Sequence, residues 1–207
     1  MLFNDLFTDG IETEKYLASS KGKAFLKRIG ITLADLKCEV VREPFVYWPQ
    51  NLKGKNISLI LILEGWATYN SFKKYIVLNK WPFEKKPDLL IWGAGYKLLS
   101  SFEYMEELFG QRINFDIKYF GDADPEGYNI YCQLKDRYEQ YQISLEEECY
   151  TFLFTKCKNF KQTIGKDQKF IRCNMLKVAD ELEQSKPGIN KYIETMWNEK
   201  TRIPQEA

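Results

Sequence analysis

Residues 57–65 read ISLILILEG, and this stretch decides the fold. Residues 57–63 form an almost unbroken apolar run, which is typical of a strand buried on both faces, as in a parallel sheet. Similar runs follow at 88–92, 115–120 and 150–154, and segments with helical periodicity separate them at 66–78, 95–109 and 128–141. This alternation predicts an α/β fold with a mostly parallel, four-stranded sheet flanked by helices.

The segment before the first core strand has a different pattern. Residues 12–29 carry apolar side chains at helical spacing, and Thr32 is a candidate N-cap for a short helix that ends at Leu36. Residues 38–48 alternate between apolar and polar types and contain Pro44, which favours an edge strand or an extended arm.

After the core the pattern is helical again, at 170–182 and 189–197. We therefore predict two parts. Residues 1–43 would be a short helical appendage, and residues 44–207 would be an α/β domain with a helical tail.

The amino-acid composition restricts the side chains that could take part in catalysis. The chain of 207 residues has 30 Lys and Arg, 29 Asp and Glu, a net charge of +1 and no histidine. The lack of histidine excludes Ser-His-Asp and Cys-His hydrolases, zinc sites with His ligands and an imidazole general base. Carboxylates, lysines, tyrosines or a hard metal ion would have to carry any catalysis.

Several features predict a cytoplasmic protein that does not enter a membrane. The five cysteines form no C-x-x-C pair, which is typical of reduced, buried thiols. The first ten residues, MLFNDLFTDG, lack the positive charge and long apolar run of a signal peptide. No apolar stretch approaches the ~20 residues that span a bilayer.

Acidic residues follow two of the predicted strands. Glu64 comes directly after the first strand, and Asp122, Asp124 and Glu126 follow the third strand in GDADPEG. Ligands of open parallel sheets bind at the carboxyl ends of the strands, and converging carboxylates repel one another unless a cation lies between them. We therefore expect one or two Mg²⁺ or Mn²⁺ ions there. The alternative is that each motif is only a solvated turn.

These motifs resemble the TOPRIM domain, the metal-binding fold shared by topoisomerases, bacterial primases and several nucleases. That family pairs a Glu at the end of its first strand with an Asp-x-Asp after its third, as LILEG and GDADPEGYNI do here. Glu126 resembles the further acidic residue of type IA topoisomerases. The Asp-Pro-x-Gly stretch at 124–127 resembles the version in topoisomerase VI A subunits.

A closer match is to the C-terminal domain of JetD, the nuclease subunit of the Wadjet anti-plasmid systems, over roughly residues 44–204. Four segments resemble that family: LEG at 63–65, WGAGY at 92–96, YFGDAD at 119–124 followed by Gly127, and RIP at 202–204 preceded by Glu199. Two positions depart from it. Gly65 stands where JetD proteins tend to have Asn, and Glu126 stands where they commonly have His.

The resemblance implies a Mg²⁺-dependent DNA endonuclease of a Wadjet-like defence system, which cleaves plasmid or foreign DNA with metal-activated water. Glu64, Asp122 and Asp124 would be catalytic and, with Glu126, would hold the metal. The implied partners are DNA and an SMC-like complex, and a homodimer is an open expectation. The resemblance also makes residues 44–207 the TOPRIM-like catalytic domain, and it adds the alternative that residues 1–43 are the remnant of a DNA-binding arm.

Further residues are candidates for phosphate binding. Backbone N–H groups at Gly93 and Gly95 would hold a DNA phosphate at a helix start, and Lys97 would offset charge on the phosphoryl oxygens. The JetD resemblance adds Arg202 as a phosphate contact and Glu199 as an acidic residue near the site.

Two other functions stay open. The near-neutral net charge and the absence of a long N-terminal arm favour a catalytically silent DNA-binding or assembly module of TOPRIM type. A topoisomerase VI A-like cleavage subunit would need a nucleophilic Tyr on a winged-helix domain, for which residues 1–50 are too few.

Overall fold

The computed structural model describes residues 20–38, 43–54, 56–110, 114–165 and 167–207. The chain divides after residue 42 into two compact units.

The first unit contains one helix among its described residues, α1 (Ser20–Ile29), which confirms that part of the predicted helix. The positions predicted as helical at 12–19 lie outside the described residues. The short helix expected after Thr32 is not formed. Thr32 and Asp35 do exchange the hydrogen bonds of a helix start, with the Asp35 N–H donating to Thr32 Oγ1 at 3.2 Å, but residues 33–37 form only turns. Lys37 ends them with a positive φ of 52°.

The second unit is built on a five-stranded sheet. The strands are β1 (Val46–Trp48), β2 (Leu59–Leu63), β3 (Leu89–Trp92), β4 (Asp116–Phe120) and β5 (Gln142–Leu145). Their spatial order is β1-β3-β2-β4-β5; β1 is an antiparallel edge strand and all other pairs are parallel. The α/β class, the mostly parallel sheet and the edge strand near Pro44 are therefore confirmed.

Helices connect and flank these strands. They are α2 (Trp66–Val77), α3 (Leu98–Ser101), α4 (Met105–Phe109), α5 (Pro125–Arg137), α6 (Glu147–Lys156), α7 (Arg172–Ser185) and α8 (Ile189–Glu199). Short 3₁₀ turns precede and follow α3. A two-stranded antiparallel ribbon joins β6 (Gln162–Thr163) to β7 (Thr201–Arg202).

The prediction of a fourth core strand at 150–154 was wrong, because this segment lies within α6. Tyr150, Leu153 and Phe154 are buried, whereas the Phe152 side chain is 49% exposed. This is the spacing of one helix face. Periodicity alone cannot distinguish a short apolar segment of a buried helix from a buried strand. The fourth parallel strand is instead β5, whose sequence QISL is less apolar.

The register of the sheet aligns the carboxyl ends of its parallel strands. Leu63 pairs with Trp92 on one side and with Phe120 on the other, and Tyr119 pairs with Leu145. The residues that directly follow these strands therefore lie along one edge of the sheet: Glu64, Gly93, Gly121 and Glu146.

No helix in the described ranges combines the length and the apolar character that crossing a membrane requires.

We predict that Ile60→Ala lowers the free energy of unfolding by about 2–5 kcal/mol. Ile60 lies in the central strand β2, has no exposed surface and pairs with Leu89 and Ile117. Urea unfolding measures the effect. Val77→Ala, at a side chain that is 63% exposed, is the control and should change stability by less than about 0.5 kcal/mol. Equal effects of the two changes would contradict the central position of β2.

Candidate functional site

Glu64 is fixed at the end of β2 by both of its neighbouring strands. Its N–H donates to the carbonyl of Phe120 at 3.1 Å, and its own carbonyl accepts from Trp92 Nε1 at 3.0 Å. Its carboxylate accepts from the Tyr119 hydroxyl at 2.9 Å and from the backbone N–H of Asp122. The side chain is therefore held over the end of β4.

Asp122 and Asp124 follow β4 on an extended stretch and lie on either side of Ala123. Asp124 has φ −150° and ψ 168° and is the N-cap of α5, where its Oδ1 accepts from the Gly127 N–H at 2.8 Å. Its Oδ2 accepts from Gln168 Nε2 at 2.8 Å. Alternate residues of an extended chain point the same way, so both carboxylates can face one site.

Residues 201–207, here called the closing segment, cover this acidic site. Ala123 and Ile203 form an antiparallel bridge with backbone hydrogen bonds of 3.0 and 3.3 Å. Gln205 is buried and joins both strand ends: its N–H donates to Asp122 Oδ1, its Nε2 to the Phe120 carbonyl, and its Oε1 accepts from the Gly65 N–H. The closing segment is thus attached to β2 and β4 together.

Arg202 supplies the positive charge of the site. Its Nη1 lies 3.2 Å from Asp122 Oδ2 and 3.5 Å from Asp124 Oδ2. Its Nη2 donates to Gln162 Oε1 at 3.3 Å. The guanidinium therefore pairs with both aspartates from the position that the sequence predicted for a metal ion.

Burial and the charges of neighbouring acids raise the pKa values of two of the carboxyl groups. Burial, then the charge of Asp122, raises the pKa of Glu64 from 4.5 to about 7. Burial raises the pKa of Asp122 from 3.8 to about 6, with further contributions from Asp124 and Glu206, while Gln205 and Arg202 lower it. Added positive charge at this site would therefore be favourable.

The oxygen atoms of the acidic site suit a hard cation, although the side chains are not arranged around a metal position. Glu64, Asp122 and Asp124 offer only oxygen atoms, which Mg²⁺ prefers. Within the described ranges, however, no three Asp, Glu, Cys or His side chains form a group that could hold a metal ion. Arg202 already occupies the Oδ2 atoms of both aspartates. A divalent ion could use them only after the guanidinium moves away.

Glu126 faces a neighbouring pocket as the second residue of α5. This pocket has a volume of about 280 Å³ and includes Tyr96, Asn129 and Gln133 in its lining. Burial raises the pKa of Tyr96, and the charge of Glu126 raises it further, ahead of those of Glu64 and Asp124. Tyr96 is therefore near enough to Glu126, Glu64 and Asp124 to be affected by all three charges, and the role of Glu126 as a metal ligand stays a prediction.

The predicted phosphate-binding residues have different partners in the structure. Lys97 pairs with Glu43, and both side chains are more than half exposed, so its predicted role at the phosphoryl oxygens stays a prediction. The Gly93 N–H donates to the Leu63 carbonyl at 2.8 Å and is not available to a phosphate. Gly95 begins a 3₁₀ turn with a φ of 64°, and its predicted role stays untested.

Of the two residues added from the end of the chain, only Arg202 reaches the acidic site. Glu199 ends α8 and pairs with Lys161 at 3.2 Å. The sequence reasoning missed Gln205 and Glu206, since no local pattern marks residues that reach across more than 80 positions. It also missed Glu146, because the strand before it was assigned to the wrong segment.

We predict that Gly127→Ala destabilises the protein by about 1–3 kcal/mol, because a Cβ there would overlap the backbone carbonyl oxygen of Asp122. Backbone atoms cannot move aside as a flexible side chain can. Gly165→Ala is the matched control, since nothing lies within 4 Å of the added carbon, and should stay within about 0.5 kcal/mol. Chemical denaturation of both variants measures the change in the free energy of unfolding. Similar losses of stability in the two variants would contradict the close approach of the Asp122 backbone to Gly127.

We also predict a pH dependence from Glu146, whose pKa burial raises from 4.5 to about 7. The folded protein then holds this proton to a higher pH than the unfolded chain does, so the free energy of unfolding falls as pH rises between about 4.5 and 7. Glu146→Gln removes this contribution and should gain about 1–3 kcal/mol relative to wild type across that range.

Urea unfolding at both ends of the pH range measures this gain. Glu147→Gln removes the same charge from the next residue and controls for the change in net charge. If wild type and Glu146→Gln lose equal stability over the range, the prediction is wrong.

Comparisons with known proteins leave the site to be interpreted from its own chemistry. The chain matches no protein-family model, and no curated protein matches it.

Proposed function

We propose that this chain is a Mg²⁺-dependent DNA endonuclease of TOPRIM type that cleaves plasmid or foreign DNA as part of a Wadjet-like defence system. One observation carries the proposal: Glu64 at the end of β2 and Asp122 and Asp124 after β4 face one another at the carboxyl edge of a parallel sheet. This is the edge at which open α/β sheets bind their ligands.

Glu64, Asp122 and Asp124 are the residues that would hold the metal. When bound, Mg²⁺ or Mn²⁺ would polarise the phosphodiester and lower the pKa of a coordinated water. The raised pKa values of Glu64 and Asp122 support this assignment, since burial and the charge of a neighbouring aspartate raise both, and a bound cation would offset that charge.

Other side chains of the site hold these carboxylates in place. The Tyr119 hydroxyl donates to Glu64, and the Tyr150 hydroxyl accepts from the Gly121 N–H at 3.0 Å. Both tyrosines are buried, and burial raises their pKa values well above 10, so they remain neutral at physiological pH. They orient Glu64 and the turn after β4 without titrating.

Trp66 offers a surface for nucleic acid beside the acids. It follows Gly65, is 50% exposed, and packs against Tyr69 and Trp92 with ring centroids 5.4 and 4.7 Å apart. Exposed rings of this kind stack on unpaired bases. A net charge of +1 gives little attraction to DNA, so the proposal includes an SMC-like partner that presents DNA in the cytoplasm.

A catalytically silent DNA-binding or assembly module is the second candidate, and a specific observation favours it. Arg202 pairs with Asp122 and Asp124, and the described residues contain no group of three metal-binding side chains. In such a module the acidic residues and the guanidinium would serve only to join the closing segment to the sheet.

We predict that the wild-type protein nicks supercoiled plasmid with Mg²⁺ or Mn²⁺ and that Asp122→Asn slows nicking by at least about 100-fold. Changes to residues around a metal ligand already cost 10–100-fold, so removing a ligand charge should cost no less. Gel analysis of the plasmid over time measures the rate.

Asp116→Asn is the matched control for this experiment. It removes the same charge from the exposed, opposite end of β4 and should leave nicking unchanged. Equal nicking by wild type and Asp122→Asn, or none that depends on a divalent ion, would contradict the nuclease and favour the silent module.

A further inference from the structure

We propose that Arg202 is a positioning residue that occupies the cation position of the acidic site, so that a divalent ion and the Arg202 guanidinium compete for Asp122 and Asp124. This inference rests on the proposed function, because it assumes that the acidic residues bind a divalent ion. The inference adds that the Arg202 guanidinium is a cation of the protein itself, which a metal ion has to displace from the site.

The backbone, and not the side chain alone, brings Arg202 to the aspartates. The bridge between Ala123 and Ile203 is antiparallel, so Arg202 lies opposite Asp124 and diagonal to Asp122. β7 pairs on its other side with β6, where Arg202 is in register with Gln162. Two backbone pairings therefore fix the position from which the guanidinium reaches the site.

Arg202 and a metal ion would need the same oxygen atoms. Asp122 Oδ1 is taken by the Gln205 N–H and Asp124 Oδ1 by the Gly127 N–H. The Oδ2 atoms of both aspartates face Arg202 Nη1, at 3.2 and 3.5 Å. Two cations cannot occupy this position together, so binding of one must weaken binding of the other.

The Arg202 side chain can leave while the closing segment stays attached. Its side chain is 32% exposed, whereas that of Asp124 is 3% exposed. The bridge to Ala123 and the three hydrogen bonds of Gln205 do not involve the guanidinium. Moving the side chain toward solvent would uncover Asp122 Oδ2, while Asp124 Oδ2 keeps its hydrogen bond from Gln168 Nε2 at 2.8 Å, and would keep the fold of the closing segment.

The test is a titration of the metal-free protein with Mn²⁺, followed by electron paramagnetic resonance of the free ion. We expect Arg202→Gln to bind Mn²⁺ about tenfold more tightly than wild type, because an opposite charge at this distance changes the cation affinity of a carboxylate by at least a factor of ten. Arg202→Lys, which keeps the charge, should bind close to wild type. Combining Arg202→Gln with Asp122→Asn should remove the tight binding.

Arg137→Gln is the matched control, because Arg137 pairs with Glu103 at 2.8 Å outside the acidic site. Its Mn²⁺ affinity should equal that of wild type. Equal affinities for wild type and Arg202→Gln would overturn the competition and leave the nuclease proposal intact. No binding by any variant up to millimolar Mn²⁺ would overturn both.

A measurement on the wild-type protein covers the case in which Arg202→Gln does not fold. Saturating Mg²⁺ should shift the NMR signal of the Arg202 Nε–H group, identified by its absence in Arg202→Lys, and leave the Arg137 signal in place. An Arg202 signal that does not move while Mg²⁺ binds would overturn the inference.

Discussion

The balance of charge at the carboxyl ends of β2 and β4 is the constraint on which the rest of the site depends. Carboxylates are costly in a partly desolvated place unless donors and opposite charges compensate them. Here the compensating groups come from Arg202, Gln205, Gln168 and the first turn of α5, far apart in the chain. A local need for positive charge therefore ties the central strand of the sheet to the closing segment.

A chain without histidine has to orient its carboxylates with other groups, and here hydroxyl groups do so. Tyr119 donates to Glu64, and Tyr150 receives the N–H of Gly121, the residue on which the Glu64 and Tyr119 side chains pack. Burial keeps both phenols neutral. The two phenols therefore keep their protons and their hydrogen bonds across the pH range where an imidazole would titrate, although Glu64 and Asp122 themselves change charge in that range.

Much of this arrangement follows from sequence patterns, and the part that does not is long-range. The apolar runs of β2, β3 and β4 locate those strands, and the acids after two of them locate the site, because strand ends of a parallel sheet align. The run at 150–154 misled because a buried helix face of that length looks like a strand. The roles of Arg202 and Gln205 depend on a bridge across 80 positions that no local pattern encodes.

The two candidate functions differ physically in how completely Arg202 neutralises the site. A guanidinium carries one charge, and its ion pairs here are with Asp122 and Asp124. Glu64 is left with a neutral phenol and a backbone N–H, and its pKa stays raised to about 7. A purely structural salt bridge would gain nothing from a third carboxyl group held beside the other two. A site for a divalent ion would gain from this third carboxyl group, since the ion brings two charges and accepts several oxygen ligands at once. The position of Glu64 therefore favours the metal-dependent nuclease over the silent module.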